Sequence, residues 1–105
     1  MLKRKFIIKK QKDFQEVFKK GRNVNFKFFT LKILKTERGN SRIGISIGTK
    51  IDKRAVYRNK FRRQIKAIFK LYKNSEKSLD LWVLGRKGFN QNSLSELKES
   101  LEKIL

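Results

Sequence analysis

Apolar residues fall along this chain in blocks whose spacing switches between a helical and a strand period. Phe14, Val17 and Phe18 recur at i, i+3 and i+4, so a short helix is expected from Asp13 or just before it. Gly21 follows where a left-handed C-terminal cap would fall. Residues 24–35 alternate as a strand does, with residues 24–26 allowing a separate short strand. Phe29, Leu31 and Ile33 share one face; Phe26, Phe28, Thr30, Lys32 and Leu34 share the other. The second face mixes aromatic and polar groups, as suits a surface that something else covers. Arg38-Gly39-Asn40 reads as a turn. Residues 41–47 form another strand, with Ile43, Ile45 and Ile47 inward and with Gly44 and Ser46 leaving the opposite face flat.

A longer helical pattern runs over residues 52–72, with Asp52 as its expected N-cap. Residues 74–78 read as a loop. Residues 81–84 are continuously apolar, as in a strand buried on both faces. Ser93 with Glu96 three residues later predicts a capping box, which opens a last helix striped by Leu94, Leu97, Leu101 and Ile104. The order is α-β-β(-β)-α-β-α: an α+β chain forming an α-β sandwich, one sheet with helices against it, in a single domain spanning residues 1–105.

Rotating the long helix by about 100° per residue separates two arcs. Tyr57, Phe61, Ile65, Ile68, Phe69 and Tyr72 would pack on the sheet, while Asn59, Lys60, Arg62, Arg63, Lys66, Lys70 and Lys73 lie opposite. Arg58 sits at the edge of the apolar arc and is expected to point towards a groove beside the helix. Between positions 50 and 73 the one acidic residue is Asp52. A merely solvated helix face would interleave Glu with its Lys and Arg, because like charges at i, i+3 and i+4 repel. A face left so basic makes physical sense with phosphates on it.

Composition strengthens that reading. Lys and Arg number 29 against 9 acidic residues, a formal charge of +20 on 105 residues. A polyanion relieves the self-repulsion, and each neutralised phosphate releases condensed counterions. The apolar fraction is 38% with nine Phe, arranged periodically, which argues against a disordered basic tail. Cysteine and histidine are absent, which removes disulfides, thiolate metal sites and the usual general base. No metal site is expected in the protein. The apolar run Phe6 to Ile8 is too short for a signal-peptide core, and no spanning segment follows, so a cytoplasmic protein without a membrane partner is expected.

The run Ala55-Val56-Tyr57-Arg58-Asn59-Lys60-Phe61-Arg62-Arg63-Gln64-Ile65-Lys66 resembles the signature of the bacterial ribonuclease P protein family, an alanine-valine pair, an Arg-Asn-Arg core and further basic residues. Asp13 to Gly21 is similar to the family's opening helix and glycine, and Arg42-Ile43-Gly44-Ile45-Ser46 resembles the strand before the signature. The closing strand and helix follow in the family's order. Lys60 stands where the family usually has Arg, keeping the charge but losing the bidentate fork. The usual glycine ahead of the helix is missing from Lys50-Ile51-Asp52-Lys53.

The resemblance implies the fold of a ribosomal-protein domain, a four-stranded α-β sandwich with a left-handed β-α-β crossover. It also implies a non-catalytic subunit of ribonuclease P, an endoribonuclease whose RNA subunit removes the 5′ leader from precursor tRNA. Its partners would be ribonuclease P RNA and precursor tRNA, with no small-molecule substrate. The cofactor would be Mg2+, bound mainly by the RNA. Carried over, Lys50, Arg54, Arg58, Asn59, Lys60, Arg62, Arg63 and Lys66 would meet the RNA subunit. Phe14, Phe18, Phe28, Thr30 and Lys32 would line a leader cleft. From helical spacing alone Phe14 and Phe18 read first as core residues; the resemblance moves them to the cleft.

Other classes fit less well. A ribosomal protein shares the size and charge but more often carries long basic extensions. A nuclease acting alone needs clustered carboxylates, whereas Asp13, Glu16, Asp52 and Asp80 are dispersed along the sequence. A DNA-binding protein would show a major-groove motif, and none is visible.

Overall fold

The structure, a computed structural model, describes residues 2–49, 53–73 and 77–105. After a short 3-10 turn at Arg4–Phe6 come α1 (Gln11–Lys20), β1 (Arg22–Asn25), β2 (Phe29–Lys35), β3 (Arg42–Ser46), α2 (Ala55–Tyr72), β4 (Leu79–Gly85) and α3 (Gln91–Ile104). The α+β order is the one the patterning predicts. The four strands form one sheet in the order β1-β2-β4-β3. β1 and β2 are an antiparallel hairpin, β2 pairs antiparallel with β4, and β3 lies parallel to β4, joined to it through α2.

One face of the sheet is the main core. Leu31, Ile33, Ile43, Leu81 and Val83 meet Phe61, Ile65 and Phe69 from α2 and Leu94, Leu97 and Leu101 from α3. Alternation puts the other residues of the same strands on the opposite face: Thr30 and Lys32 on β2, Asp80 and Trp82 on β4, Arg42 and Gly44 on β3, aligned in register. Helix α1 lies over part of that face, where the buried Ile8 and Val17 stand outside the main core.

Several local expectations need correction. The separate short strand allowed at residues 24–26 is present as β1, starting earlier, but Phe26 lies past it in the turn before β2. Its amide bonds to the Phe29 carbonyl and its ring stacks on Phe29 at 4.4 Å, so it joins the core side and not the face of Phe28. Gly21 is extended (φ −73°), not left-handed. Glycine is needed there for closeness: a Cβ would stand 2.5 Å from the Val17 carbonyl oxygen and 3.0 Å from that of Ile33. The last helix starts before Ser93, with Asn90 as N-cap. The Asn90 side chain accepts from the amides of Asn92 and Ser93, and Ser93 Oγ accepts from the Asn90 amide. The capping box is therefore Asn90 with Ser93, not Ser93 with Glu96. Asp52, the expected cap of α2, lies outside the described residues; the N-cap of that helix is Arg54, which makes no side-chain cap hydrogen bond. Residues 79–85 are buried on both faces only in part: Leu81 and Val83 are fully covered, whereas Trp82 and Leu84 are half-buried.

Candidate nucleic-acid interface

Helix α2 buries Phe61, Ile65 and Phe69 and turns its basic arc outward. Lys60, Arg63 and Lys70 are exposed and Lys66 is half-buried, flanking a shallow pocket floored by Leu2 and Ala67 in the case of Arg63, Lys66 and Lys70. Arg62 is different. Its Nη2 donates to the Ile47 carbonyl at 2.7 Å and its Nη1 to Asn59 Oδ1 at 3.2 Å, so it also ties α2 to the end of β3. Arg58 is half-buried beside the helix start and donates to the Lys53 carbonyl at 3.0 Å. Arg54 stacks on the Tyr57 ring at 3.9 Å. Tyr57, expected in the core arc, is 39% exposed; the buried residues of α2 begin one turn later, at Phe61. Lys50 lies outside the described residues.

The open sheet face and α1 enclose a groove of about 240 Å³ lined by Phe14, Phe18, Gln15 and Trp82. Phe14 lies 4.9 Å from Trp82, ring centre to ring centre, and rests on Gly44, where a Cβ would come within 2.4 Å of the ring. Trp82 Nε1 donates to Ser46 Oγ at 2.9 Å. The flat patch at Gly44 and Ser46 is thus an aromatic seat. Phe18 is 64% exposed, so it is not a core residue; the Lys32 ammonium stands 4.7 Å from its ring centre. An unburied ring held beside a cation is ready for stacking.

Lys32 and Thr30 are themselves buried and partnered. Lys32 Nζ donates to Asn23 Oδ1 at 2.9 Å, and Thr30 Oγ1 donates to Asn25 Oδ1 at 3.0 Å while accepting from Arg86. Phe28 is set at the far end of β2, over Gly88. Thr30 and Lys32 thus share the open face with the groove under α1, whereas Phe28 precedes β2 and stands apart from that groove.

Beside the aromatic seat lies a cluster that the sequence scatters. Arg42 Nε and Nη2 donate to Asp80 at 2.9 and 2.6 Å, and Nη1 donates to Asp13 at 3.3 Å. Arg38 reaches Asp13 at 3.3 Å and Asp80 at 3.9 Å. Asp13 and Asp80 are thus neighbours, correcting their dispersal in the sequence. Two guanidiniums neutralise them, and hydrogen bonding to Asp80 pushes Arg42 above its ordinary value, against its burial. Among the described residues no three carboxylate, histidine or cysteine side chains gather to hold a metal. This donor set does not fit a protein-held divalent ion. Trp82 and Asp80 were missed as site residues although the signal existed: the alternation within residues 79–85 puts both on one face. Asn23, Asn25 and Arg86 left no such signal.

Fold and interface together define a small basic α+β subunit of the RNA-binding class. The family model for ribonuclease P matches residues 2–105. The ribonuclease P protein component of Streptococcus pyogenes serotype M5 (strain Manfredo) is 34% identical over 104 residues, covering 99% of this chain and 87% of that one. The RNase P protein of Staphylococcus aureus superposes with a TM-score of 0.78 at 31% identity, covering 94% of each chain. That of Thermotoga maritima gives 0.74 at 26% identity, over 93% of this chain and 96% of its own. The chain belongs to the ribonuclease P protein family, whose members are RNA-binding ribonucleoprotein components in tRNA processing. Among the described residues no helix is long and apolar enough to cross a membrane.

Proposed function

We propose that this chain binds ribonuclease P RNA through α2 and holds the 5′ leader of precursor tRNA in the groove under α1, in the cytoplasm. The RNA subunit carries the hydrolysis. Bound Mg2+, held mainly by RNA phosphates, would supply the Lewis acid and the activated water. The protein's own residues bind and position. Arg54, Arg58, Asn59, Lys60, Arg62, Arg63 and Lys66 offer charge and hydrogen bonds to the RNA subunit, as Lys50 is proposed to do. Phe14, Phe18 and Trp82 offer stacking faces to leader bases, each worth about 1–3 kcal/mol. Thr30 and Lys32 fix the groove wall, and Phe28 extends the face beyond it.

The observation that carries this reading is that the two surfaces are mechanically joined. Arg62 bonds to Ile47 just past β3, Ser46 at the end of β3 bonds to Trp82, and Trp82 packs on Phe14. An RNA seated on α2 therefore presents its substrate to a groove at fixed offset, which is how orientation lowers a barrier.

The test is precursor-tRNA cleavage by a matching RNA subunit at low magnesium, with and without the protein. Strong stimulation is expected, with most of it lost in a Lys60→Ala, Arg63→Ala, Lys66→Ala triple variant that melts at the wild-type temperature. Tight RNA binding without stimulation would refute the cofactor role.

A further inference from the structure

We infer that Arg42 is the positioning residue that sets the leader groove, by clamping α1 to the sheet through Asp13 and Asp80; this rests on the leader-binding reading above. Phe14 contacts the sheet through Gly44 and Trp82, a smooth patch with no side chain at Gly44 to key into. Such a seat fixes how close α1 approaches at Phe14 but supplies no directional contact there. The chain is tied to the sheet before the helix, where the Ile8 amide bonds to the Ile43 carbonyl, and after it, where Gly21 packs on Ile33. The other apolar side chains buried on this side are few, chiefly Ile8 and Val17.

Arg42 supplies the direction that the seat lacks. Its fork holds Asp80 of the central strand through two bonds, and its third nitrogen reaches Asp13 of α1. Each member is next to, or one strand alternation away from, a groove residue: Asp13 precedes Phe14, Asp80 shares its face with Trp82, and Arg42 shares its face with Gly44. The side chains are nearly dry, at 3% exposure for Asp80, 8% for Asp13 and 11% for Arg42. Buried ion pairs often stabilise no better than an apolar cluster of the same shape; what they do supply is a directional, single-register contact. Arg38 balances the second carboxylate from the loop side, so the cluster is neutral and complete. Asp13, the α1 end of the clamp, is the member whose loss releases α1 from the clamp while leaving the β3–β4 bond intact.

The experiment uses the reconstituted holoenzyme and compares dissociation constants for precursor tRNA and for mature tRNA lacking the leader. If the wild-type holoenzyme binds both equally, the leader-binding reading itself fails. If it prefers precursor, Asp13→Asn and Arg42→Met are each expected to cut that preference roughly ten-fold, the size of one charge-assisted hydrogen bond. Affinity for the RNA subunit and for mature tRNA should stay at wild-type values, a separation that general loosening of the fold would not give. Arg42→Lys, which cannot bridge both carboxylates, should fall between. Combining Asp13→Asn with Phe14→Ala should be no worse than Phe14→Ala alone, since the clamp acts through that ring. Full leader preference in Asp13→Asn, or losses that multiply in the double variant, would overturn the inference. Should Arg42→Met fail to fold, Asp13→Asn decides alone.

Discussion

Gly44 shows how much rests on single atoms on the open face. Adding one methyl there puts a carbon 2.4 Å from the Phe14 ring, closer than any real contact allows. Gly44→Ala must therefore displace Phe14 from Trp82, and overpacking of this kind costs about 1–3 kcal/mol. Urea denaturation should show that loss, and quenching or shift of the Trp82 fluorescence should change with it. Trp82 is the one tryptophan in the chain, so the signal is unambiguous. At this scale the sequence spoke unevenly. The flatness at Gly44 and Ser46 was legible from strand alternation, but its occupant was not, since α1 is far away in the chain. Phe14 and Phe18 share a helical face, yet one is wedged against an indole and the other is mostly in water. Spacing cannot separate those fates, because they depend on where α1 crosses the sheet.

Among the elements, helix extents were readable because apolar periodicity covers many residues and tolerates small errors. Ends were harder, being set by one or two hydrogen bonds. Ser93 has the right chemistry for an N-cap, but Asn90 precedes it and satisfies the amides of Asn92 and Ser93 first. Asn90→Ala should accordingly lower stability by about 1 kcal/mol, as measured by denaturant midpoint, with Ser93→Ala losing only the reciprocal half of the box. Helix α2 carries the complementary lesson. Its two arcs were legible, but not that Arg62 belongs partly to the fold through Ile47 while Arg63 does not. The sheet was less readable still. Strand residues announce themselves locally, whereas their partners lie tens of residues away, and nothing in residues 29–46 says that β2 and β3 are not neighbours.

For the molecule as a whole, charge dominates. A net charge of +20 makes RNA association strongly dependent on salt. With six to ten phosphates engaged, affinity should fall roughly 10³–10⁵-fold between 50 and 200 mM salt. Filter binding to the RNA subunit across that range should give a steep log–log line. Lys60→Gln and Arg63→Gln should each flatten its slope by about one, while Phe18→Ala leaves the slope unchanged. A shallow line for the wild type would mean that base stacking, not phosphate neutralisation, dominates. The class of partner was legible from composition alone; the link between the basic face of α2 and the groove under α1 was not, because it runs through contacts among Arg62, Ile47, Ser46 and Trp82 that only the folded chain assembles.

The strand order has a further consequence, in time instead of space. β2 and β3 follow one another in the chain but are both neighbours of β4, the last strand to be synthesised. A nascent chain leaving the ribosome carries β3 with its β4 edge unpaired until residue 85 has emerged, and the aromatic seat lacks its indole until then. Contacts between distant segments form slowly and together. Newly made molecules should therefore gain protease resistance in one late step, and a chain released before β4 would expose unpaired backbone of the kind that chaperones and proteases recognise.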